Sequence, residues 1–317
     1  MNLSSPFLFD RSSRIRLEVT GPDRAKFLHN LTTNDVKRLA PGHGQEAFVT
    51  SLQGKTLGYV ILLATDDRVI LRTDAGALEG LLPHLQRYGV FDDVSLEDVS
   101  GRTFELHLAG PSAELILDGV APGTEEYSHI MSRIADVDVR LVRESPTGHS
   151  GITIIGRGED APVVSRAVHE AGSPLGLVEL DAHEFEALRI EAGTPMFGRD
   201  VTPDNLPQEV ARDSRAINFV KGCYLGQETV ARIDALGHVN KTLRGLHFDG
   251  NVIPPRGSAV EVDGKAVGML TSAALAPGSG RVVALGYVRS AYAAAGSRVS
   301  IAGSSAIVTD LPMPAEP

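Results

Sequence analysis

The chain has 317 residues, 42% of them hydrophobic, and a formal net charge of -10. That is enough apolar material for two or three domains, and the wrong charge for a protein that wraps phosphate backbones. Met1 to Asp10 has no basic start or long apolar run, which argues against a signal peptide, and the longest apolar stretch, Val60 to Ala64, cannot span a bilayer. A lone cysteine suits a reducing compartment, so a cytoplasmic globular protein with no nucleic-acid or membrane partner is expected.

In chain order, Arg14 to Val19, Leu57 to Ala64, Val69 to Thr73 and Thr103 to Ala109 are short β-prone runs bounded by Gly, Asp or Pro. Leu78, Leu81, Leu82 and Leu85 recur at helical spacing after Asp74, a candidate N-cap. Further helices are predicted from Asp160 to Ala171, with Val164, Ala167, Val168 and Ala171 on one face, and from Asp181 to Glu191. After Leu243 the texture changes to short apolar runs broken by Pro254-Pro255, Asp263-Gly264, Pro277-Gly278 and Gly296. That pattern predicts a small all-β domain with its boundary near Gly237 to Lys241.

The cysteine sits in Lys221-Gly222-Cys223-Tyr224-Leu225-Gly226-Gln227-Glu228. A single thiol makes neither an intramolecular disulfide nor a multi-cysteine metal site, which leaves packing or reactivity. Its neighbours favour reactivity: two glycines loosen the backbone, Lys221 favours the thiolate, and Gln227 to Arg232 reads as a helix start.

The octapeptide resembles the K-G-C-Y-x-G-Q-E signature of the YgfZ family of folate-binding proteins, which is related to the glycine-cleavage T-protein, an aminomethyltransferase. Leu188 to Asp200 (LRIEAGTPMFGRD) resembles a segment shared by both families, Asn205 to Glu209 (NLPQE) resembles the YgfZ side, and Gly21 to Leu31 resembles the opening helix. Val267 to Ser272 and Ala284 to Val288 are similar to the last T-protein domain. The resemblance implies an α+β fold: a multi-lobed folate-binding region of two interleaved α+β lobes over 1–240, a β-barrel-like domain over 241–312 and a tail, 313–317. It implies tetrahydrofolate or another reduced folate as cofactor, and a monomer that supports iron–sulfur cluster assembly or repair on client proteins through Cys223 and Lys221. Arg189 is the candidate for the folate tail or pterin; Glu191, Tyr224, Gln227 and Glu228 are further candidates. A folate-dependent aminomethyl or methyl transferase and a non-catalytic folate scaffold are the alternatives.

Departures from the T-protein bear on that choice. Its G-G-x-x-D-D hairpin is matched by Gly54-Lys55-Thr56-Leu57-Gly58-Tyr59, so Gly58 and Tyr59 stand where two aspartates would be. Its G-Y-T-G-E-x-G-x-E segment is matched by Ser145 to Thr153, with His149 and Thr153 at the acidic positions. Ile152 to Ala161 imitates a dinucleotide-binding turn, but Glu159 and Asp160 would face the pyrophosphate and Pro162 removes an amide. There is no G-x-S-x-G elbow and no metal-binding histidine spacing, so neither a hydrolase nor a zinc site is expected. The Cys223 loop and the Arg189–Glu191 helix end are expected to line one concave surface between the N-terminal lobes and the β-domain.

Overall fold

The computed structural model describes residues 4–314. Period-two alternation builds two sheets in the N-terminal region. The first is antiparallel, in the order Gly44–Thr50, Thr56–Ala64, Arg68–Thr73, Ile15–Thr20, Ser95–Asp98. The second runs Val178–Glu179, Phe7–Asp10, Thr103–Ala109, Gly151–Arg157, Val137–Arg143, His129–Ile134, and only its short first strand is parallel to its neighbour. Because Phe7–Asp10 belongs to the second sheet and the next strand to the first, the chain crosses between lobes at once. The lobes are therefore interleaved.

One face of each sheet is covered by helices. Leu17, Leu62 and Leu71 pack with Phe27 and Leu28 of the helix Arg24–Leu31 and with Leu81 and Leu85 of the helix Leu78–Tyr88. In the second sheet, Leu106, Leu108, Ile152 and Ile154 pack with Val164 and Val168 of the helix Ala161–Gly172. Ala171, expected on that buried face, is exposed and Gly172 is buried in its stead. Asp74 does not cap its helix with its side chain; its carboxylate accepts from the Phe197 amide at 2.8 Å.

The uncovered faces of the two sheets meet. Ile61, Leu63 and Ile70 touch Tyr127, Val142 and Ile155 there, and the same layer carries Arg72, Glu105 and Glu144, all buried.

Beyond Lys241, six strands close into a barrel around Leu246, Phe248, Leu270, Ala284 and Val308. Met313, in the segment expected as a tail, donates its amide to the Glu191 carbonyl at 2.8 Å, and residues 315–317 lie outside the described residues. The helix Ala182–Glu191 joins barrel to lobes, with Phe185 and Leu188 against the second sheet and Ala187 and Ile190 against the barrel. Asp181 and Glu184 form the capping box that starts it. A helix buried on two sides has little amphipathic signature, yet Arg189 is in its interior face. No helix among the described residues is long and apolar enough to cross a membrane.

Candidate functional site

A cavity of about 350 Å³ opens between the two sheets and the helix Ala182–Glu191. One wall is flat and aromatic: the rings of Phe9 and Phe185 stack at 4.1 Å, with the Arg11 guanidinium 5.4 Å from the Phe185 centroid. On another side stand Tyr59 and Tyr127, whose hydroxyls donate to the fully buried Glu46 at 2.6 and 2.8 Å. Arg212 and Arg215 complete the shell of Glu46, at 3.1 and 2.7 Å. Burial pushes both tyrosine hydroxyls above their ordinary range, so each remains a protonated donor bound to a carboxylate.

The floor is ionic. Arg72 forks onto Glu105 at 3.1 and 2.6 Å and reaches Glu144 at 2.8 Å, while Arg11 meets Glu144 at 2.7 Å. These guanidiniums hold the Glu105 carboxyl down at about 2 and Glu144 well below its usual range, despite burial. Arg14 and Arg16 lie within 3.5 Å of Glu105, and Arg14 is 3.5 Å from Asp74. Four guanidiniums thus share three carboxylates, and the buried Nε of Arg14, which borders the cavity, has no hydrogen-bond partner. An anionic group of a ligand would complete it.

Glu126 also lines the cavity. It accepts from the Ser145 amide at 3.0 Å and from Arg215 at 3.3 Å, and burial pushes its carboxyl pKa up. A partly desolvated carboxyl of this kind can exchange a proton nearer neutrality than an ordinary one.

Arg189 borders this cavity, but its donors are already used. Nε and Nη2 fork onto Glu186, Nη1 meets Asp200 at 2.5 Å and the Thr194 carbonyl at 3.2 Å, and Nη2 also reaches Ser272 at 2.6 Å. It is 1% exposed. Since Asp200 also accepts from Thr271 and Ser272 of the barrel, Arg189 fastens the helix to the barrel and keeps no donor for a folate. Glu191 stands half-buried at the helix end and lines none of this cavity.

The cysteine loop lies elsewhere. None of residues 221–228 lines the cavity, so the single concave surface expected for Cys223 and Arg189 does not form. Cys223 is exposed. Lys221 is buried, and its ammonium donates to the carbonyls of His29, Thr32 and Asn34 at 2.5, 2.6 and 3.0 Å, 4.7 Å from the Tyr224 ring centroid. Burial pushes it down to about 7, while the three carbonyls favour the charged form. Its protons tie the loop to the opening helix. Gln227 Oε1 accepts from the Tyr224 amide at 3.3 Å, and Glu228 is exposed in the first turn of the helix Gln227–Leu236.

Gly226 does not loosen this loop. At φ +82° it caps that helix, and a Cβ would come within 2.4 Å of the Ser51 carbonyl and 3.0 Å of Gly54. Only glycine fits so close an approach between this loop and the Ser51–Lys55 turn.

Gly58, Tyr59, His149 and Thr153 stand where the T-protein pattern has acidic residues. In the structure Thr153 donates to Glu144 at 2.6 Å, and His149 contacts the Thr147 carbonyl and the edge of Phe7. Sequence reasoning missed Glu126, Glu144, Asp74, Arg11, Arg14, Arg212 and Arg215. These seven lie in loops or the short helix Asp213–Ala216 and had no periodic signal; only the layer beneath them, as in Leu71-Arg72-Thr73 and Phe104-Glu105-Leu106-His107, showed charges at alternate positions of otherwise apolar strands.

The GCVT N-terminal domain family matches residues 4–220, and the glycine cleavage T-protein C-terminal barrel domain matches residues 241–313. An aminomethyltransferase of Streptomyces avermitilis is 30% identical over 309 residues, covering 94% of this chain and 82% of the relative. One from Halalkalibacterium halodurans is 29% identical over 303 residues, covering 93% and 81%. The crystal structure of the glycine cleavage system aminomethyltransferase T from Bartonella henselae superposes with a TM-score of 0.87 at 21% identity, over 98% of this chain and 87% of the other.

Proposed function

Given that the chain belongs to the glycine-cleavage T-protein family, we propose that its inter-sheet cavity binds tetrahydrofolate or another reduced folate and serves transfer of an aminomethyl or methyl group. The observation that carries this reading is the cavity's lining: a flat aromatic wall, a part-buried carboxyl and an arginine Nε without a hydrogen-bond partner, that of Arg14, in one enclosure. A pterin is flat and edged with donors and acceptors, and the folate tail ends in carboxylates. Glu126 suits the donor edge of the ring, and Arg14 and Arg199 suit carboxylates. Arg189 does not take that role.

With Gly58 and Tyr59 in place of the aspartates, the proton accompanying transfer falls to Glu126, a carboxyl held near a cationic partner and raised by burial. Titration of the purified protein with tetrahydrofolate tests binding, and release of methylene-tetrahydrofolate from an aminomethylated lipoyl carrier tests transfer. Glu126→Gln should lower turnover by about 10²- to 10⁴-fold. Absence of folate binding would overturn the whole reading.

A second reading, an accessory role in iron–sulfur cluster assembly or repair of YgfZ type, is favoured by the octapeptide and by the exposure of its thiol. Cys223 stands in solvent three residues after the exposed Phe219–Val220 pair, where a client or assembly protein has access to it. Cluster content of iron–sulfur enzymes in cells carrying only Cys223→Ala tests this role: it should fall. Unchanged clusters would exclude a role for the thiol.

A further inference from the structure

A separate pocket, of about 290 Å³, lies at the cysteine loop and shares no residue with the inter-sheet cavity. It opens between the end of the helix Arg24–Leu31, the segment Asp35–Arg38 and the stretch Asn218–Gly222. Cys223 follows directly and is anchored on both sides. The Lys221 ammonium donates to the His29 carbonyl, and the Leu225 amide donates to the Asn30 carbonyl at 2.8 Å. The exposed cysteine is therefore held at the last turn of that helix, next to the pocket.

The inner wall holds a second and independent sign of a reactant. His29 lines the pocket at 5% exposure. Its Nδ1 lies 3.1 Å from Asp35 Oδ1, close enough for charge attraction though off hydrogen-bond alignment. The carboxylate favours the proton on Nδ1, which leaves Nε2 as a bare acceptor. No group among the described residues bonds Nε2, and a Cβ on Gly222 would stand 3.8 Å from it. Nε2 thus faces the residue that precedes the thiol. Burial and the Lys221 charge push the imidazole below its ordinary pKa, so it is neutral near pH 7. A neutral imidazole with an unused nitrogen can take a proton from a thiol and return it.

The rim is cationic. Lys37 is exposed and makes no ion pair among the described residues, and Arg38, 89% exposed at its side chain, comes only within 3.6 Å of Asp35. Asp35 is the single carboxylate of the lining among the described residues, and it already faces His29 and Arg38. The mouth therefore carries unspent positive charge. A small ligand bearing carboxylates is drawn to it, and the first nucleophile it meets is Cys223.

We infer that this pocket is a thiol–disulfide exchange site, at which Cys223 takes up one half of a small carboxylate-bearing disulfide. Lys37 and Arg38 bind its carboxylates, and His29, set by Asp35, carries the proton. The Cys223 thiol gives its proton to His29 Nε2 as its sulfur attacks one sulfur of the ligand. The ligand's S–S bond breaks, a new one to Cys223 forms, and the departing thiolate takes the proton from His29. One thiol and one disulfide enter, and one of each leaves. Because the chain has a single cysteine, no second thiol of its own can release the bound half. The mixed disulfide lasts until an outside thiol attacks it, and the thiol of the loop is masked for that time. The inference stands on the cysteine loop alone and is independent of the folate reading.

The test follows, by mass spectrometry of the full native chain, reaction with oxidised glutathione, which is anionic, and with hydroxyethyl disulfide, which is neutral. Each rate is referred to that of free cysteine with the same reagent. A mixed disulfide should form at Cys223, and oxidised glutathione should be favoured by about tenfold or more at low salt, an advantage that shrinks as salt rises. Lys37→Gln/Arg38→Gln, on the exposed rim, should raise the half-saturating concentration of oxidised glutathione more than it lowers the limiting rate. His29→Gln should act chiefly on the limiting rate, lowering it by about 10²-fold or more. Asp35→Asn, which keeps the buried ring in place, should lower the same rate by a smaller factor. No advantage over free cysteine, or an advantage that survives the rim variant, would overturn the pocket assignment. A limiting rate unchanged in Asp35→Asn and in folded His29→Gln would overturn the proton transfer through His29.

Discussion

Around the inter-sheet cavity, Arg72, Glu105, Glu144 and Glu46 are each buried against an opposite charge held by a second element of the fold. At the cysteine loop the one buried cation, Lys221, is held by backbone carbonyls, while Cys223, Phe219 and Val220 stand in solvent. The first arrangement fixes polar groups in advance around a space of ligand size, which is what binding and transfer to a small cofactor require. The second fixes only the backbone and leaves a thiol accessible to a large partner. They are two sites, and a variant that acts on one should leave the other intact.

The ionic floor is where the contrast is largest. Arg72→Ala leaves Glu105 and Glu144 buried with fewer partners, and loss of one member of such a network costs about 3 to 5 kcal/mol. Urea denaturation should show that loss, whereas Arg72→Lys should recover only part, because a lysine cannot fork onto two carboxylates. Arg189→Ala should behave like Arg72→Ala, since it strips Asp200 of its cation. A cost below about 1 kcal/mol would mean that water already screens these charges.

The same layer sets the response to acid. His107 is fully buried, with Nδ1 3.0 Å from Thr153 Oγ1, and burial pushes its pKa down to about 3. Below an unfolded-state value of about 6.5 the unfolded chain binds a proton that the folded one refuses, so stability falls with acidification at about 1.4 kcal/mol per pH unit until the folded group titrates. Denaturation midpoints between pH 7 and 4 should decline accordingly, and His107→Gln should flatten the decline. An unchanged slope in that variant would place the acid sensitivity elsewhere.

Much of this architecture could be read from the chain, because strands and helices follow from local alternation and capping. Thr103 to Ala109, Asp181 to Glu191 and the all-β texture after Leu243 all have their signals within a few residues. The cavity did not, and the reason is physical. Glu105 and His107 alternate with apolar neighbours as they would on a solvated sheet face, and only the docking of the second sheet on the first turns that face inward. Arg189 misleads for the converse reason: the barrel and Asp200, far along the chain, use the donors that the local motif seemed to offer a ligand. Counting the carboxylates absent at Gly58, Tyr59, His149 and Thr153 missed those supplied by Asp74, Glu126 and Glu144.

Ligand binding should separate the sites with a smaller effect. Arg199, 45% exposed at its side chain, spends one nitrogen on Glu186 and borders the inter-sheet cavity. Arg199→Ala should weaken reduced-folate binding by about 1.5 to 3 kcal/mol if it donates to a tail carboxylate, with no comparable change in stability. Equal affinity in the variant would move the tail toward Arg14.

The smallest effect is expected at Cys223. An exposed side chain that holds no other group contributes within about 0.5 kcal/mol to folding, so Cys223→Ala should retain its denaturation midpoint and bind tetrahydrofolate within about twofold of the unaltered chain. The native protein should nonetheless be alkylated at Cys223 without prior unfolding, because the thiol is in solvent. The conjunction separates the two regions: loss of folate affinity on alkylation or in Cys223→Ala would join the loop to the cavity despite their separate linings. Intact binding with loss of cluster support in cells would show that the loop acts on a partner while the cavity holds its cofactor.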